Sequence, residues 1–316
     1  MHPAYSVILF TTLSGAGYGL LFWLAVAGLS GIITIDGLFG FTALALALAM
    51  ITAGLMSSML HLGRPERAWR AFSQWQTSWL SREGVVAVVT YIPAVGLGIG
   101  WVFYEDISGI FAVAAVFAML GAAVTVWCTG MIYASLATIK AWHHPLVAPI
   151  YCIFALLTGA FILNMLMAFG GGLEAHVIWL GLVLILLAWL MKTLYWSQID
   201  AAPHTLSAGD ATGLGRFGEV RVLEEPHTQA NFVMREMGYH IARKHAEKLR
   251  LVATVCLFVI PALCLLVLLA AAASSLTGFL TVICFLSAAV GVLTERWLFF
   301  AEARHAVMLY YGAQSI

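Results

Sequence analysis

The residues whose types and spacing suit chemistry are concentrated between Met59 and Glu83. This stretch reads MLHLGRPERAWRAFSQWQTSWLSRE, and apolar runs long enough to cross a bilayer lie on both sides of it. His61 closes the first run, and Glu83 opens the second. Histidine exchanges protons near neutral pH, and an ionisable group at membrane depth is costly unless it is used. The pattern therefore predicts a proton-handling ligand site at the membrane interface.

A second interpretation of the same stretch is an interfacial belt. Tryptophan and arginine are both frequent in the headgroup region of membrane proteins, where their charges are solvated outside the lipid. The stretch is rich in both residue types: Arg64, Trp69, Arg67, Arg70, Trp75, Trp79 and Arg82. Composition alone leaves the ligand site and the belt open.

The elements that must position these residues are transmembrane helices. The chain of 316 residues is 62% hydrophobic and only 9% charged, and its mean hydropathy is +0.97. Such values lie far outside the range of soluble proteins. We predict an all-α, polytopic membrane protein with one domain, 1–316, built as a bundle of eight transmembrane helices. The apolar runs place these at about 5–33, 38–61, 84–104, 108–139, 146–170, 175–197, 251–273 and 277–302.

The basic residues indicate how the bundle is oriented. Eight spans put both termini on one side, and all Lys and Arg residues fall on that side or at its helix ends. The opposite connectors carry acidic residues only, namely Asp36, Glu105, Asp106 and Glu174. By the positive-inside rule, both termini are cytoplasmic in a bacterial inner membrane. The first apolar run is too long, and lacks the basic start, for a cleavable signal.

Cysteine and histidine placement argues against redox centres held by this chain. The five cysteines lie inside apolar runs without a CxxC pair, so we expect neither disulfides nor an iron–sulfur cluster. Histidines lie at ends and loops, whereas a membrane haem needs axial histidines within helices. We therefore expect no haem and no metal site.

The long connector at about 198–250 begins as a Gly-, Ala- and Thr-rich segment and then becomes helical in pattern. Ala230, Met234, Met237 and Ile241 follow at helical spacing, which predicts one amphipathic face. The other face is basic and includes Arg235, Arg243 and Lys244. Such a helix lies on the membrane surface or docks a soluble partner, and the two uses are compatible.

Polar residues within the apolar runs require partners. We expect Glu295 and Arg296 to face the bundle interior as a pair. We expect Asn164 to form an interhelical hydrogen bond. The remaining ionisable groups are predicted to extend to the loop-side interface: Lys192, Glu302 and Arg304.

The sequence HLGRP at 61–65, followed by Ala68, Ala71 and SWLSRE at 78–83, resembles the membrane-anchor (DmsC) family of dimethyl sulfoxide reductase. The resemblance implies a haem-free anchor for a molybdopterin catalytic subunit and an iron–sulfur subunit, which hold those cofactors. It further implies that His61 and Glu83 help form a quinone site. Arg64 occupies a position that is less uniform in this family.

The cytoplasmic orientation and the long loop look most like the anchors of cytoplasm-facing, quinone-reducing sulfite-oxidising complexes. The quinone, ubiquinone or menaquinone, would then receive electrons from sulfite, although a reductase oxidising quinol remains an alternative. A transporter or a purely structural anchor is a further alternative. We further predict that four residues line the quinone site, namely Arg82, Ser14, Tyr18 and Trp79. Residues expected to dock the partner are Arg67, Arg70, Arg235, Arg243 and Lys244.

Overall fold

The computed structural model describes residues 3–34, 36–60, 62–170, 172–201, 206–221, 223–224, 227–229, 231, 234–235, 245–271 and 276–311. Within them, eight helices are long and apolar enough to cross a membrane. These are α1 Tyr5–Ser30, α2 Gly37–Met59, α3 Trp79–Tyr104, α4 Gly109–Ala134, α5 Val147–Phe169, α6 Ala175–Ala201, α7 Ala246–Ala270 and α8 Thr277–Ala301. The described residues contain no β-strand, so the predicted all-α, eight-helix architecture is confirmed.

The remaining described elements are short and lie between the long helices or after the last of them. They are a 3-10 helix at Pro65–Gln74, an α-helix at Ala208–Thr212, and 3-10 helices at Gly215–Phe217 and Ala306–Tyr311. Because the number of spans is even, these elements and both ends of the chain lie on one side of the bundle. We call it the loop side.

Helices α1 and α5 form the centre of the bundle. About two thirds of α1 (67%) and α5 (61%) is buried, against 28–39% for the other six helices. The two backbones touch where Gly19 meets Ala155 and Gly159, and a Cβ added to Gly19 or Gly159 would overlap the facing main chain. Small residues allow this close approach, which packs α1 against α2, α4 and α5 at once.

Helix α3 begins five residues earlier than the apolar run indicated. Ser78 is its N-cap, and its hydroxyl accepts a hydrogen bond from the Ser81 amide at 3.5 Å. Polar residues can occupy the first turns of a transmembrane helix, so hydropathy alone placed the start too late. Glu83 consequently lies in the second turn of α3 and does not open it.

The long loop is shorter than predicted, because α6 continues to Ala201 and α7 begins at Ala246. Its Ala208–Thr212 helix has a capping box between Ser207 and Asp210, and the Tyr310 hydroxyl donates to the Ala211 carbonyl at 2.7 Å. The described loop therefore packs against the C-terminal 3-10 helix. Of the expected amphipathic helix, Ala230, Met237, Ile241, Arg243 and Lys244 lie outside the described residues.

Candidate functional site

The connector between α2 and α3 lies exposed on the loop side and is clamped to the start of α3. Arg82 donates from Nε to the Trp75 carbonyl at 3.0 Å and from an Nη to the Gln76 carbonyl at 2.6 Å. Its guanidinium also lies over the Trp79 ring, 4.4 Å from the centroid. Arg82 thus fixes the connector and points away from the bundle interior.

The next residue, Glu83, points the other way, because neighbours on a helix are about 100° apart. Its side chain is buried between α3 and α4, with 4% of the residue exposed. The Thr129 hydroxyl of α4 donates a hydrogen bond to Glu83 Oε1. Within the described residues, no basic side chain forms an ion pair with this carboxyl group. The buried Glu83 carboxyl group therefore has the Thr129 hydroxyl, and not a cation, as its partner among the described residues.

Helix α1 brings the predicted Tyr18 and Ser14 to the same region. Tyr18 is 2% exposed, and its hydroxyl lies within electrostatic range of Glu83 without a hydrogen bond of good geometry to any described residue. Ser14 is buried and donates to the Phe10 carbonyl at 2.6 Å. Tyr18 therefore lies near Glu83, and Ser14 is buried one helical turn before Tyr18.

A π-helical turn at Phe10–Ser14 interrupts α1 beside this region. Such turns are rare within α-helices and are frequent at functional sites. The turn faces a small cavity of about 20 Å³ between α1, α4, α5 and α8, which has room for roughly one water molecule. We call it the polar cavity. Its principal polar lining residues are Thr11, Thr12, Ser14, Thr129, Thr158 and Arg296.

Arg296, which also lines the polar cavity, belongs to a buried group of charges on α6 and α8. Arg296 donates from Nε to Glu295 Oε2 at 2.5 Å, and Lys192 forms an ion pair with Glu295 Oε1. Each of the three residues is at most 3% exposed. The Arg296 guanidinium also lies 4.2 Å from the centroid of the Tyr151 ring. We call Lys192, Glu295 and Arg296 the charge cluster.

The charge cluster confirms one prediction and contradicts another. Glu295 and Arg296 do face the interior as a pair. The predicted extension of Lys192 to the interface is wrong, because Lys192 is only 1% exposed and turns inward to Glu295. Buried charges are paired where a partner is within reach. A single lysine near a helix end gave no indication of a carboxylate on another helix.

One other expectation for a polar residue was also wrong. The Asn164 side chain is 1% exposed, but its amide atoms have no hydrogen-bond partner among the described residues. Glu302 lies at the loop-side end of α8, where it pairs with Arg250 at 3.1 Å, and Arg250 also bonds Asp200 at 2.6 Å. These three charges join the loop-side ends of α6, α7 and α8.

The other predicted residues lie in the connector, at the start of α3, in the long loop or outside the described residues. Arg64, Arg67 and Arg70 are exposed on the loop side, and Trp79 is partly buried in the first turn of α3. Arg235 is exposed, and His61 lies outside the described residues. The structure therefore groups the inward members, Glu83, Ser14 and Tyr18, and leaves the arginines outside the bundle.

Sequence reasoning did not identify Thr129 and Tyr151, and it did not connect Arg296 with Glu83. Threonine and tyrosine are common in membrane helices, so neither gave a signal by itself. Thr125 and Thr129 do lie one helical turn apart, which puts both hydroxyls on one face of α4. Among the described residues, no group of His, Cys, Asp and Glu is arranged to hold a metal ion.

Comparisons with known proteins match nearly the whole chain. The family model for the DMSO reductase anchor subunit (DmsC) matches residues 1–312. The chain is 33% identical to a sulfite dehydrogenase subunit of Allochromatium vinosum over an alignment of 339 positions. That alignment covers 98% of this chain and 99% of the relative. The resemblance stated from HLGRP and SWLSRE is thereby confirmed.

Proposed function

Since the chain belongs to the DMSO reductase anchor subunit (DmsC) family, we propose that it is the haem-free, quinone-binding anchor of a molybdopterin and iron–sulfur oxidoreductase complex. The observation that carries the proposal is Glu83, a buried carboxyl group that bonds Thr129 and has no paired cation among the described residues. Burying such a group is costly, and intramembrane ionisable residues are typically functional. A group that exchanges protons suits a site at which quinone is reduced.

The residues near Glu83 are chemically suited to a quinone. When bound, a quinone supplies an acceptor for two electrons and two protons. Thr129 orients the Glu83 carboxyl group, and Tyr18 adds a hydroxyl beside it. His61 lies in the sequence at the end of α2 and is the group whose ordinary pKa is nearest neutrality. We assign proton exchange with the quinone to His61 and Glu83, and the exposed connector to the contact with the iron–sulfur subunit.

The direction of electron flow is proposed from the relative. A protein named as a sulfite dehydrogenase subunit is similar over the full length of the chain. We therefore propose that electrons from sulfite pass through a molybdopterin subunit and an iron–sulfur subunit to the quinone. The alternative is a complex of the dimethyl sulfoxide reductase type, in which quinol is oxidised. The match to the DMSO reductase anchor family supports this alternative as well as it supports the sulfite proposal.

The experiment that tests the proposal compares two electron acceptors in the assembled complex. His61→Ala should slow quinone-linked sulfite oxidation by about 10²–10⁴-fold, the usual effect of losing a general acid–base group. Oxidation with an artificial soluble acceptor should be unchanged, because the molybdenum centre lies in another subunit. Equal retention of both activities would show that His61 belongs to an interfacial belt.

Orientation separates the sulfite proposal from its alternative. We propose that the loop side is cytoplasmic, in a bacterial inner membrane. A cysteine introduced at Asp36 or Glu105 should then react with a membrane-impermeant reagent in intact cells, and one introduced at Arg70 or Gly215 should not. The opposite labelling pattern would place the soluble subunits outside the cytoplasm and would favour the dimethyl sulfoxide reductase type.

A further inference from the structure

The polar cavity adjoins a second, apolar space. This apolar cleft measures about 100 Å³ and lies between α1, α2, α5 and α8. Both spaces share four lining residues, namely Thr12, Ala16, Thr158 and Val292. The apolar cleft extends along α8 to Phe285, which is about 16 Å further from the loop side than Arg296 at 1.5 Å per residue. The two adjacent spaces thus present a polar end and an apolar end on either side of these four residues.

The apolar end opens on the lipid-facing surface. Leu9 and Leu293 line the cleft, and 42% and 36% of these residues are exposed on the outside of the bundle. Leu13, Met50 and Phe161 form the inner wall. A dry cavity of comparable size, about 150 Å³, is known to take up a benzene ring. The apolar cleft is therefore suited to a ring with a hydrocarbon tail that enters from the bilayer.

The polar end has two buried side-chain groups without a hydrogen bond of good geometry to any described residue, Arg296 Nη1 and the Tyr151 hydroxyl. The lining hydroxyls of Thr12 and Thr158 are already bonded to the carbonyls of Ile8 and Phe154, at 2.9 and 2.8 Å. Arg296 uses Nε on Glu295, but its Nη1 is buried without a hydrogen bond of good geometry to any described residue. A buried guanidinium with a free N–H is strongly suited to binding an oxygen atom of a ligand.

We propose that Arg296 is a binding residue for the quinone head group, and that the apolar cleft holds its ring and tail. This inference rests on the proposed function and places the head group in the polar cavity, which is also lined by Thr129, the hydrogen-bond donor to Glu83. One carbonyl oxygen of the quinone would occupy the polar cavity, which has room for one atom of that size. Arg296 Nη1 would donate to this oxygen from α8, and Thr129 on α4 links the cavity to Glu83.

Glu295 has a positioning role in this arrangement, because it binds the Arg296 guanidinium directly. Lys192 pairs with Glu295 and does not line the polar cavity. The charge cluster offers two matched variants. Arg296→Gln leaves Lys192 and Glu295 as a neutral pair, and Lys192→Met leaves Arg296 and Glu295 as a neutral pair. Only the first variant changes the wall of the polar cavity.

The test measures binding of decylubiquinone to the purified complex by quenching of tryptophan fluorescence, alongside quinone-linked turnover. Losing a hydrogen bond to a charged group should weaken binding by about 10- to 100-fold in Arg296→Gln. Lys192→Met should bind decylubiquinone within about twofold of the parent, because its cavity wall is intact. Unchanged binding in Arg296→Gln, or an equal loss in Lys192→Met, would overturn the assignment.

Three further variants keep the outcome interpretable. Ala289→Trp fills the apolar cleft without touching the charge cluster, and it should block binding even if Arg296→Gln fails to assemble. Unchanged binding in Ala289→Trp would exclude the cleft.

His61→Ala and Glu83→Gln test the proposed function in the same assay. If these two reduce quinone-linked turnover and Arg296→Gln has no effect on binding, only the further inference is wrong. If the parent complex fails to bind decylubiquinone, the proposed function is wrong.

Discussion

Glu83 and the charge cluster are two solutions to burying charged groups in the loop-side half of one membrane bundle. The charge cluster balances Glu295 with two cations, Lys192 and Arg296, through an ion pair and a 2.5 Å hydrogen bond. Glu83 has only the Thr129 hydroxyl, and no basic partner in the described part of the chain. Thr129 and Arg296 line the same small cavity, so the two solutions meet there.

The difference separates groups that hold position from groups that exchange protons. A carboxylate between two cations stays ionised, because protonation would leave buried positive charges without a partner. For an acid whose hydrogen-bond partner is an alcohol, protonation leaves no unpaired cation behind. The free energies of its neutral and charged forms therefore differ by less. We therefore interpret the charge cluster as the fixed wall of the cavity and Glu83, which contacts the cavity-lining Thr129, as the proton-exchanging group beside it.

The largest expected effect follows from removing the centre of the charge cluster. Glu295→Leu leaves Lys192 and Arg296 buried together without an anion, which typically costs about 3–5 kcal/mol. We expect the inserted chain to be nearly absent from membranes, measured by immunoblot against the parent. Lys192→Met is the matched control, since it leaves a neutral pair and should accumulate almost normally. Equal levels of both variants would mean that the charges do not stabilise the bundle.

The next largest effect concerns Glu83, the proton-exchanging group. Glu83→Gln keeps the shape of the side chain and removes the proton-exchanging group, so quinone-linked turnover should fall by about 10²–10⁴-fold. The amount of assembled complex and the activity with an artificial acceptor should stay at the parent level. A variant that loses assembly as severely as Glu295→Leu would show that Glu83 is structural.

Thr129→Val sharpens the same point with a smaller change. Valine removes the hydroxyl that donates to Glu83, and losing such a hydrogen bond costs about 1–3 kcal/mol when the acceptor remains buried. We expect about a tenfold fall in quinone-linked turnover, since each 1.4 kcal/mol changes a rate about tenfold. The measurement is turnover at saturating sulfite. Thr90→Val is the control, because the buried Thr90 hydroxyl donates to the Val86 carbonyl of its own helix.

The smallest expected effect comes from His305, a base at the loop-side rim. Burial against the Trp142 ring, 5.4 Å away between centroids, lowers the pKa of His305 from about 6.5 to about 4. The unfolded chain therefore binds this proton more readily than the folded chain does. The contribution of neutral His305 to the free energy of unfolding should be fully present above about pH 6.5. It should be lost as the pH falls toward 4. Thermal unfolding of the complex at pH 7.5 and pH 5 measures this loss, and His305→Gln should reduce it.

Sequence predicted the membrane architecture well, because the length and apolar content of each run are set by the thickness of the bilayer. The ends were less accurate, since Trp79, Ser81 and Arg82 belong to α3 although they are not apolar as a group. Glu83 was identified because an acid between apolar runs is unusual. The sequence did not predict that Lys192 turns inward, because its partner Glu295 is more than 100 residues away in the chain.

The cavity itself had no signature in the sequence. Its walls come from α1, α4, α5 and α8, and each contributes common residues such as threonine and alanine. Arg296 was predicted to be buried with Glu295, but a free Nη1 is visible only once the positions of all neighbours are known. Pairing can be inferred from residue types, whereas an unpaired atom depends on packing.

The π turn at Phe10–Ser14 has a consequence for comparing relatives of this protein. A helix with bonds from i to i+5 accommodates one residue more than a regular α-helical turn does. Relatives without the turn should therefore show a single-residue gap at positions 10–14, with the segment before it rotated by about 100°. Such a gap would separate members that keep the threonine-lined wall of α1 from members that have lost it. The alignment register at these five residues is thus a test of shared ligand chemistry within the family.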